Sequence, residues 1–372
     1  MNKHLYILLT ALLFATNIEA QKISLGSCKT NDGGEYQGEM INGKPQGKGQ
    51  ARYANGNEFH GEYNKGKRQG FGVYTFNDGE KYEGQWFQDQ QHGKGTYYFA
   101  NNNRYEGLWF RDYQQGHGKM YYYTGDVYDG NWYADKRQGS GRYTYKGGAY
   151  YDGEWKNDMK QGKGVFDWGD GSRYDGQWVE NKRDGQGTYR YSTGDVYTGQ
   201  WKDDVQHGKG IYKFRNGDTY EGAYVNGERT GEGIFKYANG DKYTGHFTDG
   251  DKDGQGTFIW RNGDTYTGLW KGGLQNGKGR LTKKSGEVYE GTFKNGKLHG
   301  EIIGHAADGS KLRGTYKNGK REGKFIEVNK EGVRFEGSYV DDERDGAFIE
   351  RDANGNITAQ GTYEQGMRHE NK

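Results

Sequence analysis

An all-β fold, an elongated single-layer antiparallel sheet of stacked 23-residue β-hairpin repeats, is what this sequence predicts. Three observations carry the prediction: a spacing of large residues that holds at 23, alternation of period 2 inside each unit, and an Asn-Gly or Asp-Gly pair near the end of many units.

The period comes first, because internal repeats decide the architecture. Tyr36, Phe59, Tyr82, Tyr105, Tyr128, Tyr151, Tyr174, Tyr197, Tyr220, Tyr243, Tyr266, Tyr289, Leu312 and Phe335 follow one another at steps of 23 residues without an insertion. Two residues after each anchor stands Gly, and four after it a second large residue, most often Trp. A Gly-x-Gly such as Gly93-Lys94-Gly95 follows, then two aromatics at alternate positions, as in Tyr189 and Tyr191 or Phe258 and Trp260. Side chains two apart share one face of a strand, so anchor, Gly and Trp lie on one face of a first strand, and Gly and two rings on one face of a second. Asn55-Gly56, Asp78-Gly79, Asp170-Gly171 and Asn216-Gly217 read as tight two-residue turns, while the stretch after the Trp reads as a longer polar loop. Glycine weakens a strand unless something needs the room; here it leaves space for a ring to lie flat on the backbone. A lone hairpin cannot bury its face, so the units must stack, at about 4.8 Å per strand, into a ribbon roughly 130 Å long.

The motif Tyr174-Asp175-Gly176-Gln177-Trp178 followed by Gly185-Gln186-Gly187, and Tyr82-Glu83-Gly84-Gln85-Trp86 with Gly93-Lys94-Gly95, resembles the MORN (membrane occupation and recognition nexus) repeat family over roughly residues 36 to 340. The resemblance implies a single-layered antiparallel sheet with a shallow aromatic groove. It also implies roles in protein assembly, dimerisation or membrane association.

Composition narrows the function classes. Only 31% of residues are hydrophobic, yet there are 33 Tyr, 16 Phe, 9 Trp and 68 Gly, which suits a thin sheet of rings over glycines and not a thick aliphatic core. Lys and Arg number 53 against 51 acids, a net charge of +2 without the basic excess of a nucleic-acid binder.

The chain divides into a signal peptide (1–20), a lead-in (21–35), regular repeats (36–288) and divergent C-terminal repeats with a cap (289–372). Lys3 and His4, the apolar run Leu5 to Ala15 and the small residue Ala20 form the signal pattern, with cleavage expected before Gln21. The run is too short to span a bilayer, so the protein is expected to be exported: secreted, periplasmic or in the cell envelope. Cys28 is the single cysteine and is read as a free thiol in a flexible lead-in; the alternative is a lipidation site, against which Glu19 and Lys22 interrupt the approach.

From Tyr266 the pattern changes. The second Gly of Gly-x-Gly becomes Ile302, Phe325 and Phe348, with Ile303, Ile326 and Ile349 beside them, which moves apolar weight to the opposite face. Two readings stay open, a cap over the sheet edge and a self-association surface.

Several motifs fail on inspection. Gly291–Lys297 and Gly314–Lys320 match Gly-x4-Gly-Lys, but Leu298 and Arg321 stand where a nucleotide loop needs Ser or Thr. Asp249, Asp251 and Asp253 begin like a calcium loop, yet Trp260 takes the place of the bidentate Glu. His92, His207 and His299 lie in units too far apart to share a metal. No catalytic residue, cofactor or metal is therefore expected, and the protein is read as non-enzymatic.

What remains is binding. The candidate groove rings are Tyr82, Trp86, Trp109, Tyr128, Trp132, Tyr151, Trp155, Tyr174, Trp178, Tyr197 and Trp201. The basic pairs Lys67-Arg68, Lys136-Arg137 and Lys182-Arg183 are candidate contacts for an anionic headgroup, while acids such as Asp126, Asp195, Asp218 and Asp264 mark the tight turns. The first expectation is a scaffold that binds partner proteins through the aromatic groove. The alternatives are association with a phospholipid surface through the basic residues and glycan binding along the groove.

Overall fold

The computed structural model describes residues 22–370; the signal-peptide reading lies outside the described residues. The described chain contains no helix. It forms two compact units, one up to Lys146 and one from Gly147 onward. In the first, consecutive strands from Ser24–Lys29 to Lys136–Thr144 pair antiparallel, each with the next. In the second, the same ladder runs from Tyr150–Lys156 to Met367–Glu370. Each is a single-layer open sheet of stacked hairpins.

The Tyr174 repeat shows how the sequence makes the hairpin. Arg173–Val179 is the first strand and Lys182–Arg190 the second. Tyr174 pairs with Tyr189 and Gly176 with Gly187; then the register shifts before Trp178 meets Arg183. The shift is a bulge on the longer second strand. Gly185 sits there with φ +94°, a conformation that L side chains rarely adopt. The Gln177 side chain closes the bulge by accepting the Gln186 N–H at 2.7 Å.

The turns differ from expectation. The stretch read as a long polar loop is the tight one: Glu180 and Asn181, at φ 48° and 73°, make a two-residue turn with positive φ at both positions. Asp and Asn recur at its second position because they tolerate that conformation. The Asn-Gly and Asp-Gly pairs sit in a wider connection. In this repeat the Tyr191 N–H bonds the Asp195 carbonyl and the Gly194 N–H the Tyr191 carbonyl, both at 2.9 Å, and Gly194 alone has positive φ. That is a three-residue loop with glycine in the left-handed position.

The rings are the core. A Cβ added to Gly187 would lie 2.3–2.5 Å from the Tyr174 ring, so Tyr174 rests directly on the backbone of the neighbouring strand. Its hydroxyl donates to the Gln177 carbonyl at 3.0 Å. Trp178 and Trp201 meet it edge-on from either side, at centroid distances of 5.2 and 5.5 Å. The Trp178 indole N–H reaches back to the Gly164 carbonyl at 3.0 Å. Anchors such as Tyr82, Tyr174 and Tyr220 are thus held by the ring four residues on and by its counterpart in the following repeat, the nearest-neighbour coupling of a repeat fold.

Both ends depart from the expectation. The lead-in is not flexible throughout: Ser24–Lys29 is a strand that pairs with the first repeat and places Cys28 opposite Tyr36. At the other end Ile302, Phe325 and Phe348 stay on the ring face, where they are buried with Tyr316, Phe335, Tyr339 and Tyr363. A Cβ on Gly314 would strike Phe325, which lies where the anchor ring lies elsewhere. Only the adjacent isoleucines turn to the other face, Ile303 exposed and Ile326 and Ile349 half-buried.

Candidate functional site

The eleven groove rings of the sequence reading are interior. None of Tyr82, Trp86, Trp109, Tyr128, Trp132, Tyr151, Trp155, Tyr174, Trp178, Tyr197 and Trp201 is more than 6% exposed. As a surface for direct contact they are a correction. Rings that lie flat on glycine backbone and are clamped edge-on by two neighbours leave no face for a partner. Burial also pushes the anchor hydroxyls up, to about 12 for Tyr220 and Tyr266 and higher for Tyr174 and Tyr197.

Above this layer lie the second-strand rings. Tyr74, Phe76, Tyr97 and Phe99 in the first unit, and Tyr189, Tyr191, Tyr212, Phe214, Tyr237 and Trp260 in the second, are half-buried. Successive pairs stack obliquely, as Tyr189 does with Tyr191 at 4.4 Å and Tyr212 with Phe214 at 4.4 Å. Their place two and four residues after the second Gly is regular enough in the sequence to find them. What the spacing does not reveal is which of the two ring rows is the deeper one.

A second row crosses the same face at the tenth residue of the repeat. Arg68 stacks over Phe59, Tyr74 and Trp86 at 4.6–5.7 Å from their centroids, and Arg183 over Tyr174, Tyr189 and Trp201 at 4.5–5.8 Å. Arg229 and Lys252 sit in equivalent ring cages. The eighth residue of the next repeat supplies the anion. Asp204 accepts the Arg183 backbone N–H at 2.9 Å and its Nε at 3.0 Å, and the Asp204 carbonyl accepts Nη2 at 2.7 Å. Asp89 and Asp342 likewise accept the backbone N–H and Nη2 of Arg68 and Arg321, with Nε farther off at 3.6 and 3.5 Å.

This geometry splits the basic pairs. Lys67, Lys136 and Lys182 are exposed, on the face opposite the rings, and Lys182 pairs with Asp203 at 2.8 Å. Arg68 and Arg183 lie among rings with their side chains 13% and 20% exposed and are held by Asp; Arg137 lies over the Tyr128 and Tyr143 rings. Alternation along a strand prevents neighbours in sequence from presenting both charges to one surface.

The turn acids also have structural partners. Asp195 accepts the Arg215 N–H at 2.7 Å and the Tyr212 hydroxyl at 3.0 Å. Asp218, Asp241 and Asp264 accept the N–H groups of Ala238, Arg261 and Lys284 in the same manner. At Asp126 burial works to raise the carboxyl, but the Lys146 N–H and Tyr143 hydroxyl outweigh it and hold it below the usual range. Carboxylates therefore stitch many of the successive repeats along both edges. Among the described residues no cluster of three His, Cys, Asp or Glu is placed to hold a metal ion.

Stacked hairpins with a buried ring layer, cross-repeat carboxylate stitches and an amphipathic upper row define a β-hairpin repeat protein. The chain belongs to the MORN repeat family, which matches it in consecutive segments from residue 36 to 301 and again over 313–324. No curated protein matches it significantly. Among solved structures it is similar to the TCP domain of Drosophila melanogaster SAS-4 (dCPAP) in complex with a proline-rich motif of Ana2 (dSTIL), at 15% identity over 42% of this chain and 85% of that one, with a TM-score of 0.28. A mutant TCP10 domain of Danio rerio CPAP matches at 12% identity over 72% of this chain and 99% of that one, TM-score 0.28. A streptogramin B lyase matches at 11% identity over 80% and 84%, TM-score 0.14. At these TM-scores the likenesses carry no argument.

Proposed function

We infer that this chain is a non-enzymatic scaffold that binds partner proteins along its ring-bearing face, outside the cytoplasm. The observation that supports this most is the layering of that face. Half-exposed rings such as Tyr191, Tyr212, Phe214 and Tyr237 lie over a fully buried second ring layer, and the arrangement repeats at a fixed interval. Rings held from beneath offer large, rigid contact area at low entropic cost, the usual property of interface anchors. The export reading is supported by the apolar run from Leu5 to Ala15.

The test is partner capture by proximity labelling in the native envelope or medium, comparing the mature chain with two variants. Tyr191→Gln with Phe214→Gln alters the ring face; Thr188→Val with Thr198→Val alters the opposite face, where the two hydroxyls bond each other. Partners lost with the first and kept with the second are the expected result. Partners indifferent to the ring variant overturn the reading. Tight binding to anionic vesicles at physiological salt, abolished by changing Lys67, Lys136 and Lys182 to Gln, overturns it in favour of a lipid surface.

A further inference from the structure

The eighth residue is glycine in five consecutive repeats, from Gly227 to Gly319, and in two adjacent ones the tenth residue that faces it is a cation and not the Gln206, Gln275 or Leu298 of the others. The residues that stand where Asp204 serves Arg183 are Gly250 opposite Arg229 and Gly273 opposite Lys252. Both keep the turn and its backbone bond: Gly250 N–H to the Arg229 carbonyl and Gly273 N–H to the Lys252 carbonyl, each at 3.0 Å. Neither offers a carboxylate. Arg229 and Lys252 have no ion pair among the described residues, although both are caged by rings, with Lys252 4.7 Å from the Trp270 centroid and Arg229 5.5 Å from that of Phe235. Burial draws Lys252 below the usual lysine range; Asp251 opposes this and Arg229 adds to it.

The space for the missing group is open. A Cβ on Gly273 would meet nothing within 4 Å. A Cβ on Gly250 would lie 3.9 Å from Arg229 Nη2 and 3.0 Å from Glu228 Oε2, the far end of an exposed side chain. We propose that the slots at Arg229–Gly250 and Lys252–Gly273 receive carboxylates from an extended acidic segment of a partner protein, which completes the stitch that Asp89, Asp204 and Asp342 make internally. The occupant's chemistry is read from the chain's own filled slots, in which a carboxylate takes both a main-chain N–H and a cationic side chain. The spacing is matched too. Slots one repeat apart are two strands apart, about 10 Å, and three residues of a polyproline-II chain span about 9 Å and return the side chain to the same face. The segment therefore carries acids at every third position.

The inference rests on the protein-scaffold reading for its class of partner and has a separate test. The probe is a nine-residue peptide with Asp at every third position among Pro, end-blocked, against the same peptide with Asn. Its binding to the mature chain is measured by fluorescence anisotropy at physiological salt. The Asp peptide should bind at least ten-fold more tightly than the Asn peptide, as charge-assisted hydrogen bonds imply. Gly250→Asp with Gly273→Asp fills the slots from within. The glycines have φ of 83° and 80°, close to the 71° of Asp204 and 76° of Asp342, so the variant should fold and melt higher than the parent. It should lose the peptide at least ten-fold, and so should Arg229→Gln with Lys252→Gln. Glu228→Gln, which removes a carboxylate that reaches into the first slot, should tighten binding.

An Asp peptide that binds no better than its Asn twin, or that binds the slot-filled variant unchanged, overturns the proposal. So does a wild-type chain that binds phosphatidylserine vesicles through these residues while leaving the peptide unbound. If native partners still depend on the ring face in that event, the slots are refuted and the scaffold stands.

Discussion

Gly187→Ala adds one methyl group where the fold has no room for it. The new Cβ would stand 2.3 Å from the Tyr174 hydroxyl oxygen and 2.5 Å from Cε2 and Cζ. Carbon contacts are comfortable near about 3.5 Å, so the ring must retreat by about 1 Å. It cannot slide, because Trp178 and Trp201 hold it at 5.2 and 5.5 Å. Overpacking of this kind costs about 1–3 kcal/mol. Loosening an edge-to-face pair adds about 0.5–1.5 kcal/mol, and the stretched Tyr174–Gln177 bond a further 0.5–1.5 kcal/mol or so. A local loss of about 3 kcal/mol is expected, confined to the Tyr174 repeat and its neighbours. Native-state amide exchange across residues 173–202 reads it, since an array of repeats need not unfold in one step. The C-terminal repeats suggest the rescue. Tyr174→Leu with Gly187→Phe copies the Leu312/Phe325 pair, in which the ring lies over Gly314, and should recover most of the loss. A Gly187→Ala protein with exchange within about 0.5 kcal/mol of the parent would refute ring-on-glycine packing.

High pH should unfold the array. Burial raises the folded-state pKa of Tyr36, Tyr220 and Tyr266 to about 12 from a usual 10.0. Their contribution is complete below pH 10 and is lost as pH rises from 10 through 12, because the unfolded chain releases those protons first; phenolate absorbance and circular dichroism should change together there. Trp155→Ala with Trp178→Ala should act on stability before binding. Each indole is at most 5% exposed, and truncation of such a ring costs about 3–5 kcal/mol, so a variant with native melting but no partner binding would show that the rings face outward. Mass spectrometry of the exported protein should find a mature chain that starts near Gln21; an intact N-terminus in a cytoplasmic fraction would refute export.

Much of this was legible because the repeat is local. Tyr174, Gly176 and Trp178 share a face by alternation alone, and Gly187 belongs under a ring because a strand tolerates glycine only where something needs the space. The turns were less legible. Asn216-Gly217 is a strong two-residue signal, yet that pair sits in a wider loop whose ends are Phe214 and Asp218. The tight turn at Glu180-Asn181 has no such signature, and its positive φ at both residues follows from the strand register on either side. The basic pair Lys182-Arg183 looked like one charged patch because sequence adjacency hides that the two side chains leave opposite faces.

The sequence by itself determined the period, the strands, the shared faces and the family, since each rests on relations within one hairpin. The tertiary structure decided which ring row is deepest, that Asp204 belongs to Arg183, and that Gly250 and Gly273 leave their cations without an anion. The last two depend on contacts across 21 residues, and the first on rings of successive repeats. They exist only once one hairpin is laid on the next, because burial and charge pairing are properties of the stack.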